Sequence, residues 1–416
     1  MSDYDLIIVG GGLVGGSLAC ALQGSGLKVC SIEAVAADAQ SQPSYDERAI
    51  ALAWGSRRIL EGVGLWERIA PAAEPIHRIH ISERGGFGFA HLDRAEQGVD
   101  ALGYVVPARV LGAAIRGALA QGEAGGLDQL CPARVVGLRR HPDGVDLEVA
   151  VDGASRTLRT RLLVAADGGD SFVRRRLAFP VRERPYGHHA VITTVTADRP
   201  QPHTAYERFT DTGPLAMLPM TEGRWSVVWT VREAQAPALL GLPEADFLAR
   251  LQDRFGYRLG ALSRLGRRVA YPLRQVMAHE PVGERLVLIG NAAHTLHPVA
   301  GQGFNLGLRD VAALAEVLVD AARAGADPGA GALLGRYRRL RRRDQADAAL
   351  VTDGLARLFV NPWQPLRLMR DLGLIGLDLL PGVRRAVARR FMGTGIGMGV
   401  RPPRLTLGLP LDNRRD

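Results

Sequence analysis

Residues 6–33 read LIIVGGGLVGGSLACALQGSGLKVCSIE and carry the strongest structural signal in the chain. The segment begins with a short apolar strand at residues 6–9, continues with a helix at residues 13–23 and returns to an apolar strand at residues 28–32. A strand, a helix and a second strand within about 30 residues form a β-α-β unit. This unit predicts the start of a doubly wound parallel sheet in an α/β fold.

Three glycines at the first strand-to-helix junction, Gly10, Gly12 and Gly15, have the spacing GxGxxG. Gly10 permits a tight turn, Gly12 lets the backbone approach a pyrophosphate, and Gly15 allows close packing of helix on sheet. The helix N-terminus adds N–H groups that face the phosphates. Glu33 ends the second strand, where its carboxylate can accept hydrogen bonds from ribose hydroxyls. Together these features predict an adenine dinucleotide site.

A second strand-to-helix junction lies in residues 162–174, LLVAADGGDSFVR, where Asp167 and Gly168 follow an apolar strand. One interpretation is an ordinary helix start capped by Asp170 or Ser171. The other is a turn that contacts a bound ligand. The local sequence leaves both interpretations open.

The third junction, residues 290–305, reads GNAAHTLHPVAGQGFN. An apolar strand at residues 285–289 precedes it, and a helix at residues 306–316 follows it. Small residues with almost no bulk let the backbone come close to something large and flat. Three such turns in one chain suit an extended FAD better than a freely exchanging nicotinamide cofactor.

The three motifs, in this order, resemble the single-component flavoprotein aromatic hydroxylases. The resemblance extends through residues 46–52 (DERAIAL), 213–219 (GPLAMLP) and 297–310 (HPVAGQGFNLGLRD) to the ubiquinone-biosynthesis hydroxylases, which act on polyprenylated phenols. Asn291 stands where most relatives carry aspartate and is similar to the 2-octaprenyl-6-methoxyphenol hydroxylase branch (UbiH). The resemblance covers the chain to about residue 393.

The resemblance implies an α/β fold. Its parts are a doubly wound FAD-binding domain of the glutathione-reductase-like Rossmann type, an inserted antiparallel β-sheet substrate domain and a helical C-terminus. The strand patterns agree with a meander at residues 134–138, 145–151 and 157–165, and with an antiparallel sheet at residues 190–195, 204–209, 215–218 and 225–231. The expected division is an FAD-binding domain of residues 1–75, 107–180 and 276–350, a substrate domain of residues 76–106 and 181–275, and a C-terminal helical region and tail of residues 351–416.

The resemblance also implies the activity. NAD(P)H would reduce noncovalently bound FAD, O2 would give a flavin C4a-hydroperoxide, and one oxygen atom would pass to the aromatic ring of a polyprenylated phenol. NAD(P)H is expected to be a transient co-substrate, because the sequence carries one GxGxxG on a β-α-β unit. The alternatives are a flavin-dependent reductase or dehydrogenase of another lipophilic substrate, and a flavin-bearing component of a biosynthetic complex that is inactive alone.

The resemblance assigns flavin contacts to residues outside the glycine motif. Pro298 would fix the backbone beside the isoalloxazine ring, and the helix that starts near it would direct N–H groups at the ring. Arg48 is expected to lie on the flavin side, with a surface ion pair to Asp46 or Glu47 as the alternative. The expected cofactor-binding residues are Gly10, Gly12, Gly15, Glu33, Arg48, Asp167, Gly168, Gly290, Asn291, Gly301, Gly303, Phe304 and Asn305.

A base that deprotonates the phenol would activate its ring. His297 is the first candidate because it precedes Pro298, and Pro298 and Arg48 complete the expected catalytic set. His188, His189 and Tyr186 are further candidates for the base. Packing or surface positions are the alternative for each of them. The residues expected to contact the substrate are Tyr186, His188, Met217 and Pro219.

The charge and the cysteine content of the chain limit the kinds of partner and metal site that we expect. The net charge is +9 with a single lysine, Lys28, so nearly all of the positive charge is arginine. Coding bias is one interpretation of this excess, and a basic face for anionic lipid or an acidic partner protein is the other. No nucleic-acid-binding motif accompanies it, so we predict no nucleic-acid partner. The three cysteines form no CxxC pair or zinc spacing, so we predict no metal site. Cys20 and Cys30 lie inside apolar segments, which predicts buried reduced thiols there.

No signal peptide or spanning segment is evident, so the expected location is the cytoplasm. A polyprenylated substrate lies in a bilayer, which implies a peripheral contact at the inner face of the cytoplasmic membrane. The apolar residues 372–380, followed by Arg384, Arg385, Arg389 and Arg390, are the candidate surface, with an ordinary packed helix as the alternative. The resemblance also implies a ubiquinone-biosynthesis protein complex as a partner.

Overall fold

The computed structural model describes residues 2–36, 48–121, 126–361, 363–394 and 401–411. The strands are β1 (Tyr4–Val9), β2 (Val29–Ile32), β3 (Ala49–Ala53), β4 (Glu74–Ile76), β5 (Arg78–Glu83), β6 (Phe89–Asp93), β7 (Gly103–Pro107), β8 (Leu127–Leu130), β9 (Arg134–His141), β10 (Gly144–Val151), β11 (Ala154–Ala165), β12 (Val181–Ala197), β13 (Thr204–Thr210), β14 (Gly213–Pro219), β15 (Arg224–Arg232), β16 (Leu262–Ser263), β17 (Val269–Ala278), β18 (Val282–Gly283), β19 (Leu286–Leu288) and β20 (His294–Thr295).

The first eight α-helices of these residues are interspersed among the strands, and the other four follow the last strand near the C-terminus. They are α1 (Leu13–Ala21), α2 (Trp54–Gly62), α3 (Trp66–Ile69), α4 (Arg94–Gln97), α5 (Ala108–Gln121), α6 (Phe172–Arg176), α7 (Ala236–Leu240), α8 (Glu244–Phe255), α9 (Gln302–Arg323), α10 (Gly331–Val360), α11 (Gln364–Leu379) and α12 (Pro381–Phe391).

The first sheet has the strand order β18-β19-β11-β1-β2-β8, and β9 and β10 extend it from β11. Strands β19, β11, β1, β2 and β8 run parallel. Leu6, Ile7 and Ile8 of β1 are fully buried, as expected for a parallel strand covered on both faces. Helices α1, α5 and α9 cover one face, and the antiparallel meander β9-β10-β11 packs against the other.

The second sheet has the order β20-β17-β12-β15-β14-β13-β5-β6, with β16 paired to β12. Its pairs are antiparallel except for β13 and β5. Because side chains alternate along a strand, one face of this sheet packs in a core with α7 and α8. Residues of the opposite face line a large cavity. A small third sheet, β3-β7-β4, accompanies the two large ones.

The predicted meander and the predicted antiparallel strands are present with longer boundaries. The strand expected at residues 190–195 is the C-terminal half of the 17-residue β12, whose first half pairs with β17. The helix expected at residues 306–316 begins earlier, at Gln302, and ends at Arg323. Ladder partners distant in sequence extend the strands, and local patterns do not reveal such partners. None of the helices in the described ranges is both long enough and apolar enough to cross a bilayer.

A buried ionic cluster joins α9 to α10. Asp310 of α9 is fully buried, and its carboxylate accepts hydrogen bonds from Arg341 Nε at 2.7 Å and Gln345 Nε2 at 2.9 Å. It also accepts one from the Gly290 N–H at 3.1 Å and lies 2.5 Å from His294 Nε2. Burial by itself raises the pKa of this carboxyl, but His294 and Arg341 hold the pKa well below its usual range. Asp310 therefore stays ionised inside the protein.

We expect Asp310→Asn to lower the free energy of unfolding by about 3 kcal/mol, because it leaves the buried Arg341 without one of its charged partners. Asp320→Asn is the matched control, since the ion pair of Asp320 with Arg336 is solvent-exposed. Its loss should cost less than about 1 kcal/mol. Urea unfolding at neutral pH measures both. Equal losses in the two variants would contradict a central role for Asp310.

Candidate functional site

A cavity of about 1470 Å³ is lined by residues from both large sheets, from β3 and from the C-terminal helices. Pockets for a single small ligand have volumes of about 300–1,000 Å³. This cavity therefore has room for an extended dinucleotide together with a second molecule. Its lining divides into two parts. The glycine-rich, partly charged part is called the first division, and the largely apolar part is called the apolar division.

The glycine motif forms part of the first division. Gly10 and Gly12 line the cavity, whereas Gly15 does not. Gly10 has a φ of +100°, and a Cβ there would lie 2.4 Å from the Ala166 carbonyl oxygen. A Cβ on Gly15 would lie 1.9 Å from the Gly10 carbonyl oxygen, so Gly15 serves close packing. Among the residues that the structure describes, none places an atom within 4 Å of a Cβ on Gly12, apart from its chain neighbours and its own helix backbone, so this backbone borders open space.

Glu33 lines the cavity and also holds the glycine turn in place. The Gly11 N–H donates to Glu33 Oε2 at 2.8 Å, and the Val35 N–H donates to Glu33 Oε1 at 2.9 Å. A carboxylate oxygen accepts more than one hydrogen bond. Glu33 therefore keeps acceptor capacity for a ligand hydroxyl while it orients the backbone.

The junction at Asp167 combines a helix cap with a free acceptor. Ser171 caps α6, because its Oγ accepts from the Arg174 N–H at 3.0 Å. Asp167 Oδ2 accepts from the Val173 N–H at 3.1 Å. Asp167 Oδ1 is buried and makes no hydrogen bond with any residue that the structure describes, although Asp167 lines the cavity. Buried acceptors of this kind normally have a partner, so the position suits a donor group on a ligand. Gly168 lines the cavity beside it.

The third junction brings the N-terminus of α9 to the cavity. Gly290 has a φ of +57° and lies against Val14, and Asn291 is exposed and lines the cavity. Gly301, with a φ of +61°, caps α9. An exposed helix N-terminus carries unsatisfied N–H groups and a partial positive charge. The cavity-lining residues of this helix start are Pro298, Gly301, Gln302, Gly303, Phe304 and Asn305.

Asn305 attaches this helix start to β3. Its Oδ1 accepts from the Ala53 N–H at 2.8 Å, and its Nδ2 donates to the carbonyl oxygens of Ala51 at 2.8 Å and Gly301 at 2.7 Å. All of its side-chain contacts are to the backbone. Its place in the cavity wall therefore comes with a structural role.

Arg48 lines the cavity immediately before β3. Its guanidinium carbon lies 5.0 Å from the centre of the Tyr271 ring, which is a cation–π geometry. The alternative ion pair with Asp46 or Glu47 involves residues outside the described ranges. Tyr271 also lines the cavity, so the two side chains share one wall.

The structure does not bring His297 to the cavity wall. Its ring is buried, its Nδ1 accepts from the Val299 N–H at 3.2 Å, and it packs edge-on against Tyr186 at 5.0 Å between ring centres. Burial, together with the nearby His188, lowers the pKa of His297 to about 4. Proximity to Pro298 in sequence is misleading here, because the backbone turns between the two residues and sends the imidazole into the protein.

Tyr186, His188 and His189 likewise lie outside the cavity lining. The Tyr186 hydroxyl donates to Asp353 Oδ1 at 3.1 Å, and burial raises the pKa of Tyr186 above its usual value. His188 Nδ1 lies 2.7 Å from the Tyr186 carbonyl oxygen. These partners explain Tyr186 and His188 without a substrate, whereas His189 Nδ1 is buried and makes no hydrogen bond with a described residue.

Met217 and Pro219 are on the opposite side of the sheet from the cavity. Met217 packs in the core with α7 and α8, whereas Ala216 and Leu218 line the cavity. The motif at residues 213–219 therefore contributes its even-numbered positions. A one-residue difference in position changes the face of a strand, and the sequence motif alone does not say which face meets the cavity.

Residues 3–351 match the FAD binding domain family. The chain belongs to this family.

The chain is 44% identical to ubiquinone hydroxylase UbiL of Rhodospirillum rubrum, and the match covers 98% of this chain and 93% of that one. It is 34% identical to the 3-demethoxyubiquinol 3-hydroxylase of Escherichia coli, over 94% of this chain and 98% of that one. The resemblance to ubiquinone-biosynthesis hydroxylases is thus confirmed. The fold is that of p-nitrophenol 4-monooxygenase PnpA from Pseudomonas putida, with a TM-score of 0.78 at 21% identity over 96% of this chain and 100% of that one.

The residues of the first division fit FAD. Open space beside Gly12, an acceptor without a partner on Asp167 and remaining acceptor capacity on Glu33 match a pyrophosphate and the hydroxyls that flank it. FAD is the cofactor of this family. The mixed parallel and antiparallel sheets and the helical C-terminus are those of an FAD-dependent monooxygenase fold.

The apolar part of the lining was not predicted from the sequence. It comes from alternate residues of the second sheet and from helices α10 to α12, which the sequence motifs do not include. A period of two along β13 and β14 would have identified four of these twelve positions, although not their face. The residues are Ile79, Ile81, Ala205, Phe209, Ala216, Leu218, Val228, Leu355, Phe359, Leu374, Leu377 and Phe391.

We expect Gly12→Val to fold normally and to lose FAD, because its side chain enters open space that a pyrophosphate would fill. Gly15→Val is the matched control: its Cβ would collide with the Gly10 carbonyl oxygen, so it should lower the unfolding temperature of the protein itself. Flavin absorbance after gel filtration and thermal unfolding separate the two effects. Full FAD content in Gly12→Val would refute the position of the pyrophosphate.

Proposed function

We propose that the protein is an FAD-dependent monooxygenase that hydroxylates the aromatic ring of a polyprenylated phenol in ubiquinone biosynthesis, using NAD(P)H and O2. The observation that carries the proposal is the single cavity whose wall joins the glycine motif to a long apolar lining. The names of the relatives, ubiquinone hydroxylase and 3-demethoxyubiquinol 3-hydroxylase, support the same substrate class.

The cofactor contacts follow from the geometry of the first division. Gly10, Gly12 and the N-terminus of α1 would hold the pyrophosphate, and Glu33 would accept from the ribose. Asp167 would accept a hydrogen bond from a hydroxyl of the ribityl chain or from another donor of the cofactor close to that chain. Gly168 and Asn291 would border the same chain, with Asn291 as a neutral hydrogen-bonding partner. Gly290 is buried against Val14 outside the cavity lining and would support this turn from behind.

The N-terminus of α9 supports the reactive end of the cavity. Its partial positive charge favours anionic groups beside Gly301, Gly303 and Phe304. When bound, FAD supplies the transfer of electrons to O2 and of one oxygen atom to the substrate. The chain's own contribution is to hold the ring in place, with Pro298 and Arg48 in the wall, and to exclude water with the apolar lining.

The apolar division suits the prenyl chain. Seven elements contribute to it, namely β5, β13, β14, β15, α10, α11 and α12, and burial of apolar surface is worth about 25 cal/mol per Å². A phenol ring with an attached isoprenoid presents this kind of surface. NAD(P)H would act as a transient co-substrate, since the sequence carries one GxGxxG on a β-α-β unit.

The domain division proposed here assigns the first sheet to a doubly wound FAD-binding domain and the second sheet to an inserted substrate domain. The boundaries remain those given by the sequence. The sheet memberships of β5, β6 and β12 to β17 are consistent with residues 76–106 and 181–275 forming one unit.

We also propose a peripheral contact with the inner face of the cytoplasmic membrane. Helix α11 places Leu374 and Leu377 in the cavity wall and exposes Leu372 and Leu379 on its outside. Exposed apolar groups next to cationic side chains suit an anionic bilayer. A biosynthetic protein complex could use the same surface, and its membership is proposed on the resemblance alone.

The arginines beside this surface differ in their contacts. Arg384 makes a bidentate ion pair with Glu96, and Arg390 pairs with Asp347 at 3.2 Å. Arg385 and Arg389 are exposed, and neither makes an ion pair with a residue in the described ranges. The proposed lipid contact therefore rests on Arg385 and Arg389, rather than on all four arginines.

The activity is tested with purified FAD-loaded protein, a short-chain prenylphenol, NADPH or NADH, and ¹⁸O₂. We expect substrate-stimulated oxidation of the reductant and one ¹⁸O atom in the product. Reductant oxidation with a product that gains hydrogen, or loses it without gaining oxygen, would instead identify a reductase or dehydrogenase. No turnover alone, with turnover restored by partner proteins, would identify a component of a complex.

We expect Arg385→Glu/Arg389→Glu to release the protein from vesicles that contain anionic lipid, because each cationic group near such a surface contributes about 1 kcal/mol. The charge-matched control is Arg139→Glu/Arg140→Glu, on the exposed part of β9. Vesicle co-sedimentation at moderate salt and FAD content are the readouts. Equal binding by the two double variants would exclude this surface as the lipid contact.

A further inference from the structure

Glu207 is an acidic side chain in the apolar division of the cavity. It lies in the middle of β13, opposite Ile81 on β5 and Ala216 on β14, and all three residues line the cavity. The neighbouring Ala205 and Phe209, two positions away on the same face, also line it. Glu207 is half-buried, and the alternation of the strand directs it to the cavity.

The surroundings of Glu207 provide no compensating charge. In the described part of the chain its carboxylate makes no hydrogen bond and no ion pair. Among the described cavity-lining residues of β5, β13, β14, β15, α10 and α11, Glu207 is the one charged residue. The other titratable group of this set is Tyr206, whose hydroxyl donates a hydrogen bond to Gln201 Oε1 at 3.0 Å. The remaining charged lining residues belong to other segments: Glu33, Arg48, Arg134, Asp167, Asp170, Arg175, Arg274 and Arg390.

Such an environment disfavours the ionised form. Burial raises the pKa of the Glu207 carboxyl from an ordinary value of 4.5 to about 7. A carboxylate in an apolar cavity without a partner is costly to the folded protein, so its presence calls for a ligand that it serves. A base that titrates near neutral pH is also the most effective kind for proton transfer.

We propose that Glu207 is the catalytic base that accepts the proton of the substrate's phenolic hydroxyl. The inference rests on the proposed hydroxylase function. The phenol O–H bond breaks and a carboxyl O–H bond forms on Glu207. The electron pair of the broken bond stays on the phenolate oxygen and is shared with the ring, which makes the ring carbons more nucleophilic.

The test compares Glu207→Gln with wild type in the FAD-loaded enzyme. The amide keeps the size and hydrogen-bonding capacity of the side chain but does not take a proton. We expect kcat/KM for hydroxylation to fall by about 100-fold or more. In wild type, kcat/KM should decline below about pH 7 as Glu207 becomes protonated, and this decline should be absent in Glu207→Gln. Glu233→Gln, at an exposed position, is the matched control and should behave as wild type.

A more acidic, fluorinated prenylphenol adds a readout that packing defects do not mimic. Because its hydroxyl ionises more readily, it should recover a large part of the activity that Glu207→Gln loses. Ala216→Ser provides a second variant that keeps the carboxylate. A hydroxyl directly across the strand pair can donate to Glu207 and stabilise its ionised form, so the acid decline should move to lower pH.

The pH dependence of protein stability tests the raised pKa of Glu207 in the absence of substrate. The folded state binds a proton between about pH 4.5 and about pH 7 that the unfolded state has released. Wild type therefore loses stability as pH rises through this range. The unfolding temperature of Glu207→Gln minus that of wild type should increase over the range and be level above it. A constant difference would show that the carboxyl is not held in an apolar site and would overturn the assignment.

The outcomes distinguish this inference from the function on which it rests. If wild type hydroxylates prenylphenols and Glu207→Gln keeps both the rate and the acid decline, the assignment of Glu207 is wrong and the hydroxylase function stands. If wild type forms no hydroxylated product with or without partner proteins, the proposed function is wrong, and the role of Glu207 with it.

Discussion

The ionised carboxylate of Asp310, enclosed by protein, is the interaction on which the site's geometry depends. Removing a charge from water costs several kcal/mol unless hydrogen bonds and opposite charges surround it. Asp310 has four such contacts, to Gly290, His294, Arg341 and Gln345. Two of them belong to the turn after β19 and two to α10, so one carboxylate fixes both elements relative to α9. The N-terminus of the same helix, in turn, borders the flavin part of the cavity.

The second constraint is the alternation of side chains across the nine-stranded sheet. One face is committed to the core with Trp229, Phe247 and their neighbours. The chemistry available to a substrate is therefore set by every second residue of the other face. On β13 this selects Ala205, Glu207 and Phe209, two apolar groups around one acid. A single carboxylate in such a wall has its properties set by desolvation, because no described cation forms an ion pair with it.

More of the predicted cofactor residues than of the predicted substrate residues line the cavity, for a physical reason. The positions of Gly10, Gly12 and Glu33 depend on backbone within one β-α-β unit, so their spacing indicates that they lie together. The cavity wall depends instead on strand faces and on helices more than a hundred residues away. Met217 and His297 illustrate the difference. Each lies in a recognisable motif, yet the strand face of Met217 and the turn at His297 direct both side chains into the protein.

Helix α11 links the cavity to the outside of the molecule. Leu374 and Leu377 are spaced for one helix face and line the cavity. Leu372 and Leu379 are 56% and 71% exposed. Each is two residues, or about half a turn, from one of the cavity-lining leucines and therefore lies on the opposite, solvent side of the helix. A helix that only completed a core would expose polar residues on its outer face. Under the proposed lipid contact, the outer apolar groups would meet the bilayer, and a prenylated substrate would cross only the thickness of one helix layer to pass from bilayer to cavity. The apolar exterior of α11 and the apolar interior of the site thus follow from the same property of the proposed substrate.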